Sequence, residues 1–245
     1  ETQQGVDPTT YVPTNSSRMD IGGALTITTD RALDTDIASL TNVTGNVVLN
    51  GVKSVDLRGE LNGEGQVSVT TTGDLNVFGK LTGTSVDLAA GSDTRGNILT
   101  SLRTDLDVTN LTMTAGSTAG DITFRDSAVD VTGIMRLTAA GGGVYATGSV
   151  GSTLGATQGN HLNAATAILS ARDGIQSDQG GTHAFLLSAV TLTATVTSAG
   201  QLWLENDGDL DLLNATTQSG DVTLNVYGNL TARAITAGAS GANNI

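Results

Sequence analysis

One interval governs this sequence. In residues 200–232, GQLWLENDGDLDLLNATTQSGDVTLNVYGNLTA, four short apolar-polar-apolar strings follow one another: Leu202-Trp203-Leu204, Leu210-Asp211-Leu212, Val222-Thr223-Leu224 and Leu230-Thr231-Ala232. The first and third begin at Leu202 and Val222 and the second and fourth at Leu210 and Leu230, so the interval is 20 in both cases and the internal offset is 8. The spacing reads as two strands and two turns per interval. A unit that small cannot bury its own apolar face, so it must stack on a copy of itself.

The same rhythm occurs far upstream. Val47-Val48-Leu49 and Val67-Ser68-Val69 are 20 apart, Val55-Asp56-Leu57 and Leu75-Asn76-Val77 are 20 apart, and the internal offset is again 8. Between the two blocks the interval stretches: strings start at Val86, Leu111 and Met135, 25 and then 24 apart. Turn insertions of this size are what a stacked fold absorbs most easily. Residues 139–186 are the least regular and read as degenerate rungs or a projecting loop around Ala167-Ile168-Leu169-Ser170-Ala171.

Strict alternation over three to five residues, bounded by Gly and Asx, is incompatible with amphipathic helices. Antiparallel hairpins would show two-residue turns between neighbouring strands, whereas equivalent strings here recur one whole unit later. The expected fold is therefore all-β, a parallel β-helix (β-solenoid) of about ten rungs with 20–25 residues per rung, roughly 50 Å long at about 4.8 Å per rung. Residues 1–20, polar and holding both prolines (Pro8 and Pro13), read as an extended lead-in; residues 21–245 read as one solenoid domain. Only 3% of residues are aromatic and 32 are Gly, which suits a core of thin aliphatic layers.

A formal net charge of −13 argues against nucleic acid and anionic membrane surfaces as partners. No run of 18 apolar residues is present, so no membrane insertion is expected. Cys is absent, which removes disulfides and thiolate metal sites. The first residues carry neither the basic start nor the apolar run of a signal peptide, which fits a piece of a longer secreted chain.

The most repeated detail is a Gly-Asx pair before a strand: Gly45-Asn46, Gly73-Asp74, Gly96-Asn97, Gly120-Asp121, Gly208-Asp209, Gly220-Asp221 and Gly228-Asn229, with Gln at Gly65-Gln66 and Gly200-Gln201. The structural reading is a positive-φ turn Gly, followed by an Asx bonding the turn backbone or a stacked neighbour. No cofactor is expected; calcium stays open as the one alternative, although the GGxGxDx nonapeptide that a calcium ladder normally uses does not occur. Carboxylates cluster at Glu205, Asp207, Asp209 and Asp211, with Asp209 and Asp211 on one outward face. A polysaccharide lyase or glycoside hydrolase could use such carboxylates with calcium or as acid and base; the plainer reading is a solvated acidic face, since no basic residue that would neutralise a substrate carboxylate lies nearby in sequence. His161 and His183 lack a third ligand at metal spacing, so no metal site is expected. Neither a G-x-S-x-G elbow nor a phosphate-binding loop occurs.

The strings GNVVLNG, GDLNVFGKLTG, LTMTAGSTAGDI, GDITF and GDLDLLNATTQSGDVTLNVYGNLTARAITAG resemble the filamentous-haemagglutinin-like repeats of large bacterial exoproteins, including adhesins of the two-partner secretion route. The resemblance covers roughly residues 21–240. It implies a right-handed parallel β-helix, a bacterial extracellular or cell-surface location, and a non-catalytic shaft serving attachment, biofilm contact or self-association. The implied partners are further copies or repeats stacked end to end and a host or bacterial surface receptor or glycan. No Arg-Gly-Asp triplet and no family-type secretion domain occurs in the sequence.

Overall fold

Period-two alternation broken by Gly and Asx leads, in the computed structural model, to strands alone. The structure describes residues 18–34, 40–51, 53–91, 95–101, 104–147, 160–178 and 183–238, and no helix occurs among them. All pairings between the strands are parallel.

The chain winds as a parallel β-solenoid. Its first turn holds β1 (Arg18–Ile21), β2 (Leu25–Thr29) and β3 (Leu33–Asp34); the second holds β4 (Leu40–Val43), β5 (Val47–Gly51) and β6 (Val55–Leu57); the third holds β7 (Glu60–Gly63), β8 (Gln66–Thr71) and β9 (Leu75–Val77). From the fourth turn the first two strands fuse: β10 (Lys80–Ala89) and β11 (Ile98–Thr100), β12 (Asp105–Ala115) and β13 (Ile122–Arg125), β14 (Ala128–Ala139) and β15 (Gly143–Thr147), β16 (His161–Ala171) and β17 (Gly174–Gln176). β18 (Phe185–Val196) and β19 (Leu202–Asn206), then β20 (Leu210–Thr217) and β21 (Val222–Val226), complete nine turns, and β22 (Leu230–Ala232) with β23 (Ile235–Thr236) begins a tenth. The expected lead-in over 1–20 lies outside the described residues except for its last three, which belong to β1.

The repeat contains three strands and three corners, where the spacing had suggested two of each. In residues 47–77 the missed strand is β7, Glu-Leu-Asn-Gly, in which Leu61 is the sole large apolar residue; in residues 200–232 it is the second half of β20, whose inward residues are Ala215 and Thr217. Where two strands fuse, the corner persists as a break in alternation. In β12 Val108 and Leu111 both point inward and Thr109 and Asn110 both face solvent, and the ladder to β14 shifts register there. The first sheet is thus folded into two faces, and the second sheet forms the third.

Turn length varies while the stacking does not. Asn62 stacks on Asn42, 20 residues earlier, yet Asn163 stacks on Asp130, 33 residues earlier. A second insertion falls in the seventh turn, where Ile175 stands opposite Leu202 but Phe185 stands opposite Leu204, so the ladder passes from β17 directly to β18. The break is bridged by Ser177 N–H donating to the His183 carbonyl at 3.0 Å. Within 139–186 the described segments still build regular strands, β15, β16 and β17.

Inward positions stack like on like. Val55, Leu75, Ile98, Ile122, Val144, Ile175, Leu202 and Val222 form one column through eight turns, each at most 3% exposed. Each such side chain contributes about 1.5–3 kcal/mol by leaving water. Phe124 and Phe185, the bulkiest core residues, lie two turns apart and meet edge to face at 6.3 Å. Ala146, the residue stacked on Phe124, is small enough to let the rings touch. Phe124→Ala should therefore lose about 3–5 kcal/mol of stability in urea unfolding. Val190→Ala, at a site 65% exposed, should stay within about 0.5 kcal/mol; equal losses would contradict this core.

Candidate functional site

The Gly-Asx pairs, alike in sequence, are sorted by the winding onto three different corners. Gly45-Asn46 lies at the corner inside the first sheet. Gly73-Asp74, Gly96-Asn97, Gly120-Asp121 and Gly220-Asp221 lie where the chain passes to the second sheet, and Gly208-Asp209 and Gly228-Asn229 where it returns. At each corner the Asx side chain reaches along the axis. Asp74 Oδ1 accepts from Asn97 N–H at 2.8 Å, Asn97 Oδ1 from Asp121 N–H at 2.9 Å, and Asp121 Oδ1 from Gly143 N–H at 2.8 Å. Asn46 Oδ1 accepts from Gln66 N–H at 3.0 Å and Asp209 Oδ1 from Asn229 N–H at 2.7 Å.

The glycines are needed for a reason other than the one expected. Of the seven in Gly-Asx pairs only Gly208 has positive φ, at 100°. The others lie against backbone or a stacked Asx side chain of the neighbouring turn. A Cβ on Gly120 would collide with the Gly96 carbonyl, one on Gly220 with the Gly200 carbonyl, and one on Gly96 would come within 2.5 Å of the Gly73 carbonyl. Close approach of stacked backbones, more than left-handed geometry, selects Gly here.

The corner between the first and second sheets opens outward into a groove of about 790 Å³ running from Lys53 and Ser54 in the second turn to Arg172 and Asp173 in the seventh. Its floor is the column Gly73, Gly96, Gly120 and Gly142, and the Asp74–Asn97–Asp121 ladder runs along it. Arg172 is held in place: its Nε and Nη2 donate to the two Asp173 oxygens at 2.7 Å each, and Nη1 donates to the Thr118 carbonyl at 3.1 Å. That hydrogen bond from Arg172 lowers the pKa of Asp173. Alternation places Tyr145 on the outer side of β15, yet it is only 5% exposed, its ring folded back over Gly143. Burial, then the Asp121 and Asp173 carboxylates, pushes its pKa up to about 12, against the opposing effect of Arg172. The hydroxyl therefore keeps its proton near neutral pH. It forms no hydrogen bond with any described residue.

The four clustered carboxylates are dispersed by the fold. Glu205 lies on the second sheet and accepts from the Tyr227 hydroxyl at 2.7 Å. Asp207 is exposed at the next corner, Asp209 accepts from Asn229, and Asp211 lies on the first sheet, paired with Arg233 at 2.7 Å. Arg233 is the basic partner that sequence reading missed. It sits 22 residues after Asp211, as Tyr227 does after Glu205, a diagonal contact one turn up and two residues along. His161 is exposed beside Asn163, at 2.6 Å, and Asp130. Among the described residues no group of three or more His, Asp or Glu could hold a metal ion.

No protein-family model, no curated protein and no solved structure matches this chain.

The corners can be tested at two positions. Gly120→Ala should cost roughly 1–3 kcal/mol or more by overpacking, whereas Gly22→Ala, with nothing within 4 Å of the added methyl, should leave the melting temperature unchanged. The pKa of Asp209 is lowered by the Asn229 backbone N–H and then by its side-chain amide. A carboxylate favoured in the folded state stabilises fully above its unfolded pKa of about 3.9, and loses that contribution as pH falls through the lower folded value. Thermal melts below about pH 4 should thus decline less steeply for Asp209→Asn than for the parent; identical acid profiles would contradict the assignment.

Proposed function

We propose that this chain is the structural and adhesive shaft of a bacterial extracellular or cell-surface fibre, of the filamentous-haemagglutinin-like kind, and is not an enzyme. The observation that supports this best is what the outward polar groups do. Asp20, Asn42, Asn62 and Thr82 hydrogen-bond in series up one face, Asn76 bonds Asp56, and Asp209 and Asp211 bond the next turn. Side chains that would converge on a substrate in an enzyme are engaged here in stacking. Glycoside hydrolysis needs two carboxyl groups flanking one bond, whereas Glu205 and Asp211 belong to different sheets and each has a partner already.

A shaft must also be extended. In the last described turns Leu224 and Ile235 are half-buried and Leu230 is 45% exposed, although all three occupy interior positions of the repeat. Further repeats or a second copy stacked on this layer would cover them. Cells displaying the protein should acquire surface attachment, and purified protein should leave neutral and acidic polysaccharides intact. Polysaccharide cleavage that disappears in the Asp209→Ala, Asp211→Ala double variant would replace the shaft with an enzyme.

A further inference from the structure

We propose that the groove along the corner between the two sheets binds a linear, uncharged, hydroxyl-rich chain, a neutral oligosaccharide lying parallel to the solenoid axis. This adds a ligand site to the shaft and stands whether or not the shaft is adhesive. The central observation is Tyr145. Its side chain is more than nine-tenths buried, lines the groove, and offers a hydroxyl with no hydrogen-bond partner among the described residues. The ring is covered but the hydroxyl oxygen is not sealed off, so a hydrogen-bonding group lying in the groove can reach it.

The lining selects the class of ligand. Three cations, Lys53, Arg95 and Arg172, alternate along it with three carboxylates, Asp74, Asp121 and Asp173. The groove is therefore neutral in a chain of net charge −13, and neither a polyanion nor a polycation is favoured. Apolar ligands find no platform, since the floor is glycine backbone and the Tyr145 ring is covered. An extended peptide finds no open sheet edge either, because backbone groups at this corner are used turn to turn: Gly91 N–H donates to Gly73 O at 3.1 Å and Gly116 N–H to Gly96 O at 2.9 Å. Sugar hydroxyls both donate and accept, matching donors and acceptors set side by side. The lining repeats once per turn, about 4.8 Å, close to the advance of one pyranose ring in an extended chain. From the second turn to the seventh the groove spans roughly 24 Å, room for a short oligosaccharide.

The test is calorimetric titration of the intact protein with cellohexaose, xylohexaose and mannohexaose, with a polygalacturonate hexamer as the anionic comparison. At least one neutral hexasaccharide should saturate a single site. Tyr145→Phe, which removes only the hydroxyl, should weaken that binding roughly three- to tenfold, the loss expected for one hydrogen bond between neutral groups, with the melting temperature unchanged. Arg95→Gln supplies a second variant at an exposed side chain without an ion pair among the described residues, and should also weaken binding. No binding by any neutral hexasaccharide at millimolar concentration, binding by the polygalacturonate alone, or binding unaffected by both substitutions would each overturn the proposal.

Discussion

In-register parallel stacking underlies every other feature of this molecule, because it places each residue directly over its equivalent one turn away. Backbone hydrogen bonds run along the axis, so each turn supplies the donors and acceptors its neighbour needs. A position inside the repeat is then selected for compatibility with itself. Aliphatic side chains satisfy that condition by packing in columns such as Val55 to Val222. Asn and Asp satisfy it by lending an oxygen to the next N–H, and Gly by letting carbonyls approach where a methyl could not fit.

This self-compatibility explains the composition. The interior is built from thin aliphatic layers, and the one aromatic pair in the described core, Phe124 and Phe185, meets across the small Ala146. Like charges stacked at about 4.8 Å repel, and the corner ladders alternate, Asp74 with Asn97, Asn97 with Asp121 and Asp209 with Asn229, whereas on the sheet faces Asp107 does stand over Asp130. The net acidity is tolerated because carboxylates are interleaved with amides, hydroxyls and occasional cations. Length can be added at a corner without disturbing any column, as the long step from Asp130 to Asn163 demonstrates.

The fold was legible in the sequence wherever like stacks on like at a constant interval, as at Val47 over Val67 or Leu202 over Val222. The third strand of each turn was not: in β7 one leucine carries the inward face, and in the second half of β20 the inward residues are Ala215 and Thr217, whereas the pattern needs two large apolar residues. The function of the glycines was half legible: their place at corners followed from the pattern, but close approach between turns is a property of the stack and leaves no local mark. The groove was invisible for a related reason. Arg172 reaches Thr118 across 54 residues, Tyr145 and Arg172 come from the least periodic stretch, and nothing in the sequence fixes how much chain separates those turns. By contrast, Arg233 over Asp211 and Tyr227 over Glu205 could have been found by asking what lies one interval and two positions further along the chain.

That axial position is set by turn number and not by separation along the chain can be measured by electron spin distance spectroscopy. The chain has no Cys, so label pairs can be placed cleanly along the outward row that pairs Thr70 through Ala89, Thr114, Thr138, Ser170 and Thr195 to Thr216. With one label fixed at Thr70 and the other moved from Thr138 to Ser170, Thr195 and Thr216, the distance should grow by an even increment of about 4.8 Å per step, to roughly 29 Å. The stretches of chain covered by those steps are unequal, the first being half as long again as the last. Increments that follow those lengths, or distances that fail to rise monotonically, would contradict the stacked solenoid.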